Sequence, residues 1–315
     1  MLSGSRVLIL FLLALFLSLT ANAQSRHDAL EAYNRGCKRY LDGDFQRAIA
    51  EFTRAIDLSS QPDAGNQREQ WKAAMGFTSD ASDSGSITLI DPLTAVALGN
   101  RALARFRLGD MSGALEDCNR GLRINPGLLL LYKNRGAIRW ATGDMEGAIS
   151  DFDQVIRKNP RDAEAYNSRG NCRMDNGDLA GALADFDQAI RLDPRKAEFY
   201  CDRGGASLDK DVEGALADFE RAVQLEPHLA MAYFSRGTAW TRKNSFNQAL
   251  ADFTRAIELD PHMAVAYGNR GLLQLYQGQD AAAEKDFAEC LKLDPTLEPK
   301  LRARITAEKA RLSRR

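Results

Sequence analysis

Histidine is almost missing from this sequence, with three in 315 residues, and cysteine is sparse, with five. Those counts leave little material for a zinc centre or a disulfide framework. No C-x-x-C, H-E-x-x-H, G-x-S-x-G or glycine-rich phosphate loop occurs either. An excess of one charge is lacking too: Lys plus Arg number 42 against 43 for Asp plus Glu, a formal net charge of −1. A dedicated nucleic-acid binder concentrates basic charge, so that class is excluded. With 44% hydrophobic and 27% charged residues, wholesale disorder and low-complexity fibres are excluded as well. No segment alternates apolar and polar residues over a useful length, which removes a β domain.

One long apolar run is present, Val7 to Leu19, broken only by Ser18. Arg6 precedes it and Ala21-Asn22-Ala23 follows, a small-residue cleavage pattern. The run is short of the ~20 residues that span a bilayer. Residues 1–23 therefore read as a signal peptide cleaved after Ala23, giving an exported protein, periplasmic or secreted, with no stable membrane insertion after cleavage. An uncleaved anchor is the alternative. Export implies an oxidising compartment.

What the chain does have is a beat. Pro92, Pro126, Pro160, Pro194, Pro227, Pro261 and Pro295 follow one another at intervals of 34, 34, 34, 33, 34 and 34 residues. Gly136, Gly170, Gly204, Gly237 and Gly271 keep the same period, with Gly36 earlier and Ala102 substituting once. Phe52, Phe152, Phe186, Phe219, Phe253 and Phe287 keep it too, with Cys118 in the remaining slot. Such a period means stacked supersecondary units. Within Ala163 to Pro194, helical spacing is broken by Asn176-Gly177-Asp178, resumes with an apolar stripe of Ala182, Leu183, Phe186, Ala189 and Ile190, and ends at Asp193-Pro194. Each unit is thus a helix hairpin that cannot cover its own apolar face.

The recurring "NRG" or "SRG", the "GD" turn, the "GAL.DF..AI" stripe and the closing proline resemble the tetratricopeptide repeat family over residues 29–296, apart from one insertion. The resemblance implies an all-α, right-handed superhelical solenoid of about seven antiparallel helix hairpins with 34-residue repeats. It also implies a concave face that binds a peptide or a partner helix, and implies neither catalysis nor a cofactor. The expected division is residues 24–60 as a first unit, 61–91 as an insertion, 92–296 as six units and 297–315 as a basic C-terminal capping helix. By family register the groove candidates are Tyr33, Tyr40, Phe106, Lys133, Trp140, Asn167, Asn171, Phe234 and Tyr276. The Lys, Asn and Arg groups that clamp a terminal carboxylate in some relatives are not reproduced, since Tyr33 and Cys37 stand in the opening unit.

Departures from the pattern fall in three places. About thirty residues are inserted between Ser59 and Pro92, the fifth unit is one residue short near Asp209-Lys210-Asp211, and the sixth has Asn244-Ser245 at its turn. Small kinks are expected at the last two. The insertion is loop-like in composition, yet Trp71, Met75 and Phe77 form an apolar set that reads as a flank-capping helix or a partner-docking hook. An alternative function follows from it: a subunit or adaptor of an envelope enzyme or assembly complex.

Charge repeats with the fold. Arg35, Arg101, Arg135, Arg169, Arg203, Arg236 and Arg270 face Glu51, Asp117, Asp151, Asp185, Asp218, Asp252 and Asp286 at a separation of 16 residues, 15 in the fifth unit. One member lies on each helix of a hairpin, so Arg135–Asp151, Arg169–Asp185, Arg236–Asp252, Arg270–Asp286 and their siblings read as structural ion pairs rather than an anion-binding row. The cysteines read as small core residues, with a Cys172–Cys201 bridge as the alternative. In the tail, Pro299, Leu301, Ile305 and Leu312 allow one apolar side on a basic helix that closes the open solenoid end.

Overall fold

A computed structural model describes residues 23–59 and 92–312. The apolar leader and the insertion, with Trp71, Met75 and Phe77, lie outside the described residues. The described chain forms fifteen α-helices and one 3₁₀ turn, with no strand among the described residues.

Two compact units divide at Pro160. The first holds three hairpins: α1 (Ala23–Leu41) with α2 (Phe45–Ser59), α3 (Pro92–Arg107) with α4 (Met111–Ile124), and α5 (Leu129–Ala141) with α6 (Met145–Lys158). The second holds four: α7 (Ala163–Asp175) with α8 (Leu179–Leu192), α9 (Ala197–Ser207) with α10 (Val212–Leu225), α11 (Ala230–Arg242) with α12 (Phe246–Leu259), and α13 (Ala264–Tyr276) with α14 (Asp280–Leu293). A 3₁₀ turn, Pro295–Leu297, then leads into α15 (Glu298–Leu312).

The "GD" pair makes the turn of the first four hairpins. Gly143 and Gly177 adopt φ of 85° and 84°, which an L side chain rarely tolerates, and the next Asp caps the second helix. Asp110, Asp144, Asp178 and Asp211 each accept a hydrogen bond from the backbone N–H three residues on. In the sixth hairpin Asn244 takes the left-handed conformation at φ 58°, but Ser245 makes no side-chain cap bond. The short fifth hairpin instead ends α9 two residues early, at Ser207, and Lys210 and Asp211 bond back to the Ser207 carbonyl.

Inside each hairpin the repeat glycine lies flat against the repeat phenylalanine. A Cβ on Gly170 would stand 2.7 Å from the Phe186 ring, and one on Gly271 the same distance from Phe287. The second hairpin changes both partners together: Ala102 meets the smaller Cys118, and the two pack with Ala114 and Ile138. All five cysteines are free thiols, so Cys172 and Cys201 are not bridged. Burial pushes the Cys118, Cys172 and Cys201 thiols up to about 12, which leaves them inert small hydrophobes.

α15 closes the last hairpin. Leu301 is buried, and with Ile305 it joins Ala264, Leu272, Leu275, Ala283, Phe287 and Cys290. Arg304 donates to Asn269 Oδ1 at 2.8 Å and Arg311 stacks 5.5 Å from the Tyr276 ring centroid. Deleting residues 298–315 should therefore lower the unfolding midpoint and promote self-association, read by circular dichroism and sedimentation. Uncovering Leu301 alone forfeits about 1.5–3 kcal/mol of burial.

Candidate partner-binding face

The repeat arginines are fully engaged. Arg101 grips Asp117 through Nη2 at 2.7 Å and Nε at 2.8 Å. The same two-pronged contact joins Arg135 to Asp151, Arg169 to Asp185, Arg203 to Asp218, Arg236 to Asp252 and Arg270 to Asp286. The first pair is weaker, a single exposed contact of 3.1 Å from Arg35 to Glu51. The remaining Nη1 group reaches back one hairpin, from Arg101 to Thr53 at 2.9 Å, from Arg135 to Asn119 at 2.7 Å and from Arg203 to Asp187 at 2.6 Å. These rungs thus tie a hairpin internally and to its predecessor. Tyr132, Tyr166, Tyr200, Tyr233 and Tyr267 lie under the same guanidiniums at 5.5–5.9 Å. These tyrosines recur at the repeat period and could have been read from the sequence.

The first helices present what remains for a partner. In the first unit Tyr33 is fully buried rather than groove-facing: it packs on Phe52 and its hydroxyl accepts from Asn100 Nδ2 at 2.9 Å. It belongs to the core because the next first helix brings Asn100 over it. Tyr40 is half-buried, edge-on to Phe45 at 5.2 Å. Phe106 packs against Ala102, Ala114, Cys118 and Ile138 and contributes mainly to the core. Lys133 and Trp140 are half-buried on α5.

In the second unit Phe234 leans on Phe253 at 5.8 Å, and Tyr276 lies tilted against Phe246 at 4.5 Å beneath Arg311. Asn167 and Asn171 of α7 converge on one residue that the sequence reading missed, Asp202 of α9. Their Nδ2 groups donate to Asp202 Oδ2 at 2.7 and 3.0 Å. Asn167 Oδ1 is buried and accepts no hydrogen bond. The signal for Asp202 lay in the repeat itself, since Asn100, Asn134 and Asn269 occupy the slot it fills with an acid.

Burial raises Asp202 above the ordinary carboxylate range; the Asn171 and Asn167 amides pull it back in part, and Glu198 adds to the rise. The native state therefore holds this proton more tightly than the unfolded chain, and the group's contribution to stability falls as pH rises through its titration. Asp202→Asn keeps the acceptor and removes the charge. It should raise the urea midpoint at neutral pH, with the gap to the parent closing toward about pH 4.

Among the described residues no group of His, Cys, Asp or Glu could hold a metal ion. No helix among them is long and apolar enough to cross a membrane.

Family models described as tetratricopeptide repeat match residues 134–197, 210–261 and 264–297. No curated protein sequence matches the chain. A tetratricopeptide repeat protein from Parabacteroides merdae is 17% identical, covering 89% of this chain and 99% of its own, with a TM-score of 0.64. The Cut9–Hcn1 hetero-tetramer of APC/C aligns at 14% identity over 94% of this chain and 58% of its own, with a TM-score of 0.62. A thermophilic tetratricopeptide repeat protein of Thermus thermophilus is 19% identical over 57% of this chain and 99% of its own, with a TM-score of 0.50. At these identities the likeness is one of fold.

Proposed function

Since the chain is a tetratricopeptide repeat protein, we propose that it is a non-catalytic interaction scaffold that takes a peptide or partner helix on its first helices. The observation that carries this reading is the Asn167–Asn171–Asp202 constellation, half-buried on α7 and α9 with one buried acceptor still unsatisfied. Amide groups in this position suit the main-chain N–H and C=O groups of an extended segment, and the half-buried Tyr40, Trp140 and Tyr276 suit apolar anchors. The repeat arginines are consumed in rungs, which removes them from recognition.

Peptides selected from a displayed random library against the chain from Gln24 onward test this. Asn171→Ala should weaken the selected peptides by about tenfold or more, and loss of its bond to Asp202 should lower stability by about 1–3 kcal/mol with the helical spectrum retained. Arg191→Ala on the outer helix α8 should change affinity little. Equal affinity for the Asn171 variant contradicts the assignment.

The reading extends to location. Residues 1–23 carry the pattern of an export signal, and N-terminal sequencing of the protein from its own cells should begin at Gln24. A chain starting at Met1 contradicts export with cleavage.

A further inference from the structure

Each rung has a second position, four residues beyond its arginine, and in the first four hairpins that position is also arginine, with Arg39 of the first reaching Asp44 at 4.0 Å. Arg105 Nη1 lies 3.0 Å from Asp117 and 3.0 Å from the Gly113 carbonyl. Arg139 Nη1 lies 2.8 Å from Asp151 and 3.1 Å from the Gly147 carbonyl. Arg173 repeats the contact on Asp185 at 2.8 Å and on Gly181 at 3.5 Å. The groove between the two helices of these hairpins is therefore a guanidinium site filled from within.

In the fifth and sixth hairpins the position is Ser207 and Trp240. Ser207 donates to the Gly204 carbonyl, and Trp240 fills its surroundings with apolar contacts. The seventh hairpin is different. There the position is Gln274, whose Oε1 is buried and accepts no hydrogen bond. A cavity of about 420 Å³ opens beside it, lined by Tyr267, Arg270, Gln274, Ala282, Asp286 and Glu289. By repeat register Ala282 stands where Gly113, Gly147 and Gly181 offer their carbonyls, and Asp286 stands where Asp117, Asp151 and Asp185 do.

We infer that this cavity is a guanidinium site left open in the last hairpin for the arginine side chain of a binding partner. The acceptors suit that chemistry: the Asp286 carboxylate and the Ala282 carbonyl stand where Asp151 and Gly147 receive Arg139, and meet a planar fork of donors. Lys285 and Glu289 also line the cavity and offset one another. A bound guanidinium would then share Asp286 with Arg270 as Arg139 shares Asp151 with Arg135. A lysine ammonium, as a compact point charge, reproduces this geometry poorly. The site lies on the last hairpin, with Ile257 of α12 at its edge, and does not depend on the first-helix face being the peptide groove.

The test titrates acetyl-Gly-Arg-Gly-amide into the full chain from Gln24 onward, followed by the Gln274 side-chain amide resonance and by calorimetry. The neutral isostere with citrulline in place of arginine serves as the comparison, and the Gln274→Arg variant fills the cavity with the chain's own side chain. The arginine peptide should bind saturably, the citrulline peptide at least about tenfold more weakly. Gln274→Arg should abolish binding and raise the melting midpoint. Absent binding of the arginine peptide, equal binding of the citrulline peptide, or undiminished binding by Gln274→Arg would each overturn the assignment.

Discussion

Asp117→Ala should lower the stability of the first unit by about 3–5 kcal/mol. Asp117 is 2% exposed and takes two hydrogen bonds from Arg101 and a third contact from Arg105. Alanine would leave the Arg101 guanidinium, whose side chain is only 9% exposed, without its acceptor inside the hairpin. Most of the loss is therefore the cost of an uncompensated buried charge rather than the worth of the pair. Asp117→Asn keeps one acceptor and should lose less. The exposed opening rung gives the contrast, because Glu51→Ala removes a contact that water already screens and should cost no more than about 1 kcal/mol. Urea unfolding with hydrogen exchange across α3 and α4 reads both, since stacked repeats open locally.

Phe186→Ala is the second large effect, at about 3–5 kcal/mol for a fully buried ring. The ring lies against Gly170, so the reverse change is costly too. Gly170→Ala would place a methyl 2.7 Å from Phe186 and force about 1–3 kcal/mol of overpacking, offset in part by the better helix propensity of alanine. The second hairpin already carries the matched exchange, Ala102 against Cys118. The double variant Gly170→Ala with Phe186→Cys should accordingly lose less stability than its single changes sum to, measured as a coupling energy in a double-mutant cycle. Strict additivity would show that the two slots are not in contact.

The hairpins, their turns and the arginine–acid partners were legible because one period carried them all. Two residues 16 apart, or 15 in the shortened fifth unit, meet on successive helices in every copy, so a single geometric solution is written many times over. Contacts between neighbouring hairpins were less legible. Tyr33 reads as groove-facing by register, yet Asn100 from the next first helix covers it, and no pattern within one repeat reports that approach. Asp202 was hidden for the same reason, since its partners Asn167 and Asn171 sit 35 and 31 residues away on the preceding hairpin. The arginine at the second rung position was visible as Arg105, Arg139 and Arg173, but its reach to a backbone carbonyl across the hairpin depends on side-chain direction that spacing does not encode. The role of Gln274 follows only once that reach is known.

Photo-crosslinking decides most directly whether the first helices are the partner face. A library-selected peptide carrying a benzophenone at each position in turn should form adducts on α7 and α9, around Asn167, Asn171 and Asp202, and none on α8 or α10. Adducts confined to α8 and α10 would place the partner on the outer helices and contradict the scaffold described for this chain.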